Sequence, residues 1–450
     1  MSALKQYTEL YRANSGLIEQ SSATPLNRLR PEACLTLENT VLPKAGSENY
    51  ENTDLEAVLS PDYALNLARI PMDVNPAATF RCEVPTLSTN LFMIINERFA
   101  ETPRSREGLP EGVEIGSLRT LALDYPELVE KYYGKIAEMA NPITALDTLL
   151  AQDGLFLRVK KGTVVEKPLQ LVNILQYSMT AMVCRRLLII IEDDAQAKLL
   201  TCDHTQNPEN DLLNVETVEI FVSENASFDY YALEESSERT CRLSTLYLEQ
   251  GAGSHVIIDG ITLFNGYSRN EYYCRFTGEN AELRLLGMGI EDESRSVSTY
   301  TRINHDAARC HSDELFKFTL DDKAQGSFTG RIYVAPGAVK TEAYQSNRNL
   351  VSTDTARMIS KPELEIYNDD VKCSHGCAIG QLDAMQLFYM RTRGLDESTA
   401  RLLLKQAFMA DVISGVRIDS LRDRLHMLVE RRYAGLESAC SDCQACHKTI

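Results

Sequence analysis

Positive charge is scarce in this sequence: 46 lysines and arginines stand against 64 aspartates and glutamates, a formal net charge of −18. A surface that acidic repels phosphate backbones and anionic head groups, which argues against nucleic acid and membrane surfaces as partners. Long apolar runs are missing too. The longest, Leu91–Ile95 and Leu187–Ile191, are five residues each, whereas a helix that crosses a bilayer needs about 20. The opening MSALKQYTELYRANSG places no apolar stretch behind a positive start, so no secretory signal is read and a cytosolic location with reduced thiols is expected. Several catalytic and nucleotide motifs are absent. There is no Gly-x-x-x-x-Gly-Lys-Ser/Thr phosphate loop, no His-Glu-x-x-His and no Gly-x-Ser-x-Gly, and Gly287–Met288–Gly289 lacks the third glycine of a dinucleotide fingerprint. The acidic pairs Asp321–Asp322 and Asp369–Asp370 read as corner residues. The expectation is a protein that is not an enzyme.

What is present is a globular composition, 44% hydrophobic over 450 residues, enough for two or three folding units. Residues 1–150 read as mostly helical. Leu4, Tyr7, Leu10 and Tyr11 recur at helical spacing, Ser117 caps one helix, Pro126 opens another and Pro142–Ala151 forms a third, ended by Gly154. Arg30–Asp54 carries few periodic signals and reads as a loop. From Leu155 the period changes to two. Short runs such as Val218–Val222, Ser227–Tyr231, Ser244–Leu248 and Tyr272–Phe276 are separated by breaks at Asn225, Gly251–Gly253, Asp259–Gly260 and Gly278–Asn280. More than two hundred residues of this kind suit a sandwich, a barrel or a solenoid, and no strict period decides among them. Helix returns after Leu382. Asp396 caps a helix that stops before Gly415, and Asp419 caps a last one whose Leu421, Leu425, Leu428 and Val429 form a stripe, with Gly435 at its end.

Twelve cysteines in a reducing compartment raise metal or redox chemistry. Cys34, Cys82, Cys184, Cys202, Cys241 and Cys274 stand alone and read as small buried hydrophobes. Two constellations differ from these. In Asp369–Cys377 an extended backbone would turn Cys373 and His375 to one face, a thiolate and an imidazole for a soft metal or an iron–sulfur cluster, with Lys372 nearby to favour the thiolate. The tail offers Cys440, Cys443, Cys446 and His447 with two-residue gaps, able to close on zinc or to hold three corners of an iron–sulfur cluster.

Taken as a block, Gly326–Ile332, Thr341–Leu350, Lys361–Ile366, Asp369–Gly376 and Leu387–Gly394 resemble the SufB/SufD family of iron–sulfur cluster assembly proteins. The likeness is dense over 326–395, looser over 150–325 and 396–436, and nearer the SufD branch, because a SufB member would show a Glu-His-Glu-Ala-like run at Lys372–His375. The resemblance implies a mainly β protein, a right-handed parallel β-helix over 151–377, between an N-terminal helical region (1–150) and a C-terminal helical region (378–436), with the Cys-rich tail at 437–450. It implies a non-catalytic scaffold that pairs with a SufB-like subunit through the β-helix and binds a SufC-like ABC-type ATPase through the C-terminal helices, Leu421, Leu425, Leu428 and Val429 included. A transient cluster would form at the interface beside His375 and Cys373, with no tightly bound cofactor. A homodimer is left open as the alternative assembly where the SufB-like subunit is missing. The competing readings are a carbohydrate-active enzyme on a β-helix, for which no groove of spaced carboxylates is apparent, and a stand-alone metal module built on the tail.

Overall fold

The computed structural model describes residues 2–70, 88–206 and 208–435. From Gly154–Val159 to Val371–Gly380 each strand pairs in parallel, not with the next strand in the chain but with the one after it. Consecutive strands therefore alternate between two sheets, and two strands with their corners make one coil of a parallel β-solenoid. The ladders stay in register through most of the stack; for example, Leu246 pairs with Val218 on one side and Tyr272 on the other. Period-two alternation sends Leu187, Ile189, Val218, Ile220, Leu246, Leu285, Phe316 and Phe328 inward to one continuous core between the sheets. Several corners use left-handed residues that tolerate the conformation, among them Asn225, Asn280 and Asp322. Asp259–Gly260 is not a corner: both residues lie inside the strand His255–Phe264.

The two ends of the stack differ. At the N-terminal end Val113–Ser117 runs antiparallel to Gly154–Val159. Asn90–Ile95 continues the other sheet in parallel, and Arg98–Glu101 folds back antiparallel on it. Three strands thus arise inside a region expected to be mostly helical, and the antiparallel Arg98–Glu101 and Val113–Ser117 are the edge strands at that end. The N-terminal helices cover the outer face of one sheet, where Leu146, Leu149, Tyr7 and Leu37 meet Met182, Val215 and Leu243. Asn141 caps the helix Pro142–Leu150 by accepting from the Ile143 and Thr144 amides.

Arg30–Asn39 is a helix, not part of a loop. Its stability comes from a tertiary contact with no sequence period. The fully buried Arg30 guanidinium donates to the carbonyls of Leu149 and Ala151 (2.6 Å each) at the end of the helix Pro142–Leu150.

The C-terminal helices Glu397–Ile413 and Asp419–Tyr433 lie on the outer face of the other sheet. Asp396 caps the first through the Thr399 amide (2.9 Å). At the second, Ile418 holds the capping position without a side-chain bond, and Asp419 instead pairs with Arg422 (2.7 Å). Around the apolar contact sit charged pins. Lys317 donates to the Phe408 carbonyl (2.7 Å) and Asp411 (2.5 Å), Arg417 pairs with Asp229, and Arg432 pairs with Asp292. Among the described residues no helix is long and apolar enough to cross a membrane.

Candidate functional site

Among the described residues nothing caps the C-terminal end of the stack. Arg357–Ile366 and Val371–Gly380 are the edge strands of the two sheets, each paired on one side only. In the last strand Val371 and Cys373 still touch the core, while His375, Cys377 and Ile379 are exposed. The register sets their direction: Cys373 lies beside the core residue Ala343, His375 beside Gln345 and Cys377 beside Asn347. All three donors therefore sit on the face that would be interior if another coil followed. Period two brings Cys373 and His375 together as the sequence implied, and it adds Cys377, a donor that the same alternation carried one step further would have found.

Spacing and charge limit what this row does alone. Donors two residues apart on a strand are about 6.6 Å apart. Among the described residues no three His, Cys, Asp or Glu side chains converge where they could hold a metal ion. The strand thus offers an open row of soft ligands rather than a closed cage, and completing a tetrahedral site needs donors from another surface. Burial pushes the Cys373 thiol above its ordinary value, opposed by the Ala343 amide. The expected help from Lys372 does not materialise, because Lys372 projects to the opposite face and pairs with Glu342 (2.8 Å).

The surroundings of the row are apolar and open. Ile359, Ile366, Tyr367 and Ile379 are exposed on the last coil. The helix Ala384–Thr392, capped by Asp383, has no buried residue and presents Met385, Phe388 and Tyr389, which are 74%, 63% and 57% exposed. The apolar stripe read as an ATPase-docking face is placed elsewhere. Leu421, Leu425, Leu428 and Val429 are at most 1% exposed and pack against Ile261, Leu263 and Ile290 of the protein's own sheet. That stripe is internal packing, since a partner cannot reach side chains already covered by the solenoid. The lone Cys34, Cys184, Cys202 and Cys274 are buried and Cys241 half-buried. Burial pushes the Cys241 thiol up to about 11, as expected of inert core residues. Cys82 and the tail donors Cys440, Cys443, Cys446 and His447 lie outside the described residues.

Together these elements make a parallel β-solenoid with a thiol–imidazole row along its C-terminal edge. The SufBD core domain of the SUF iron–sulfur cluster assembly system matches residues 174–408, and the SufBD N-terminal region matches residues 1–171. Similar proteins include an iron–sulfur cluster assembly SufBD family protein of Synechocystis sp., 28% identical over 399 residues and 87% of each chain. The iron–sulfur cluster assembly protein SufD of Bacillus subtilis is 25% identical over 426 residues, 90% of this chain and 94% of that one. SufD of Escherichia coli is 34% identical over 167 residues, 37% of this chain and 40% of that one. The chain belongs to the SufBD family of iron–sulfur cluster assembly proteins.

Proposed function

We propose that this protein is a non-catalytic scaffold subunit of a SufBCD-type assembly complex. A SufB-like subunit pairs with the open C-terminal edge, and the nascent iron–sulfur cluster, the cargo of the complex, takes ligands from Cys373 and His375 and from the partner. The observation that carries this reading is the asymmetry of the stack. The N-terminal end finishes in the short antiparallel edge strands Arg98–Glu101 and Val113–Ser117, whereas among the described residues the C-terminal end leaves two longer parallel strand edges, exposed Ile359, Ile366 and Ile379, and the donor row uncovered. Unpaired edges with apolar neighbours are the sites at which sheet proteins associate. The same edge suits a second copy where the SufB-like subunit is missing. A SufC-like ATPase docks on the exposed face of Ala384–Thr392, whose Met385, Phe388 and Tyr389 are the large apolar side chains that burial in an interface would favour. The test is anaerobic reconstitution with SufB-like and SufC-like proteins, with iron and sulfide assayed. His375→Ala lowers the cluster yield while the three subunits still co-purify; a normal yield removes His375 from the site.

A second proposal concerns the tail. Three thiols and an imidazole at Cys440, Cys443, Cys446 and His447 match the donor number and softness of a zinc or iron–sulfur site. It is tested by metal content of the full chain loaded anaerobically with Zn2+ or Fe2+ alone. The variant with Cys440, Cys443 and Cys446 changed to Ser binds one equivalent less than the parent, and equal content overturns the site.

A further inference from the structure

Six residues of one sheet stand side by side in consecutive register positions and face the interior: Tyr230, Ile258, Leu285, Glu314, Gln345 and His375. The lane is aromatic or aliphatic for three coils and then turns polar for the last three, ending at the exposed imidazole. Glu314 and Gln345 are 0% and 3% exposed. Gln345 Nε2 donates to Glu314 Oε2 (2.7 Å), which fixes the amide's orientation and leaves its carbonyl Oε1 as an acceptor with no partner. Across the core the chain makes room for this amide with a glycine: a Cβ built on Gly330 would collide with Gln345 Nε2. Burial pushes the Glu314 carboxyl up to about 7, as the core disfavours its charge. A buried carboxylate and a half-satisfied amide cost stability in a lane that Leu or Ile fills elsewhere, and residues that break the local rule in this way collect at functional sites.

We infer that Gln345 and Glu314 are positioning residues for His375. Gln345 Oε1 accepts the imidazole N–H from the neighbouring register position, Glu314 holds the amide through Nε2, and the other ring nitrogen is left facing the open edge as a ligand. The inference rests on the reading of His375 as a ligand given above. Register neighbours in a parallel sheet stand about 4.8 Å apart, so a rotation of the imidazole within its own position suffices to reach the acceptor. The arrangement is an amide-relayed counterpart of the carboxylate–histidine pairs that fix the tautomer and orientation of metal-bound imidazoles.

The test reads the tautomer directly. Full-length protein labelled with 15N-histidine, with the His375 signals assigned by their loss in His375→Gln, reports which ring nitrogen carries the proton. In the parent one tautomer dominates. In Gln345→Met, which keeps the size and removes the acceptor, the ratio relaxes to that of free imidazole. Glu314→Leu does the same by releasing the amide, whereas Glu314→Gln, which keeps an acceptor for Gln345 Nε2, restores the parental signature. Unchanged His375 signals in both Gln345→Met and Glu314→Leu overturn the inference. Cluster yield in the complex is a separate readout, with a loss on the order of 10-fold expected for Gln345→Met. A shifted tautomer with full yield would uphold the ladder and overturn His375 as a ligand instead.

Discussion

Asp259 lies beneath the C-terminal helices, on the outer face of the strand His255–Phe264, between Ile257 and Ile261. It is 0% exposed, both of its carboxylate oxygens lack a partner, and its register neighbours are Tyr231 and Leu286. Burial pushes its carboxyl up to about 8, against a smaller opposing pull from Arg284. In the unfolded chain an aspartate titrates near 3.9. Between roughly pH 4 and pH 8 folding therefore takes up a proton, and the stability this group confers is complete below pH 4 and gone by pH 8. The slope is about 1.4 kcal/mol per pH unit, which amounts to about 5 kcal/mol over the window. Asp259→Asn keeps the shape and cannot ionise. In urea unfolding of the two proteins at pH 5, 6, 7 and 8 the variant's stability relative to the parent should grow by about 4 kcal/mol from pH 5 to pH 8. Parallel curves would mean that the carboxyl is ionised in the folded state and would refute the argument from burial.

Two further outcomes check the core. Leu425→Ala, at a site 0% exposed between the last helix and the sheet, should cost about 2–5 kcal/mol in thermal or urea unfolding; an unchanged midpoint would return the stripe to the surface. His305, buried against Phe276 with Nε2 bonded to Ser312 Oγ (2.9 Å), is pushed down to about 3 by burial, with His311 adding to the effect. It stays neutral in the folded state, so the destabilisation it causes sets in as pH falls below about 6.5, and its ring NMR signals should stay fixed from pH 8 to pH 5; a transition near 6.5 would refute its burial.

Local signals carried much of this structure into the sequence, and the failures have a common cause. Ser117, Asn141 and Asp396 sit where a capping side chain meets the amides of a first turn, so the ends of their helices follow from a few residues. Arg30–Asn39 depends on the carbonyls of Leu149 and Ala151, far away in the chain, and no local pattern marks it. Asn90–Ile95, by contrast, carries the apolar run Leu91–Ile95 and pairs both with its sequence neighbour Arg98–Glu101 and with the distant Leu169–Gln176. The stripe at Leu421, Leu425, Leu428 and Val429 was correctly apolar, but amphipathicity says only that a face is covered, not what covers it. Here the cover is the outer face of the protein's own solenoid.

The donor row shows the same division on a smaller scale. Alternation alone places Cys373, His375 and Cys377 on one face, because that follows from the pleat. What stands behind them depends on which residue of the previous coil falls in register, and this requires the length of every coil. Along the lane that ends at His375 the steps are 28, 27, 29, 31 and 30 residues, since the corners differ in length from coil to coil. A solenoid with a fixed repeat would have revealed Gln345 and Glu314 as neighbours of His375 by counting. With coils that drift by up to four residues, an error of a single residue would exchange the inward and outward faces and put Tyr344 or Ser346 in place of Gln345. The placement of the thiols and the imidazole at the edge was legible from one strand, and the residues beneath them only from the ladder.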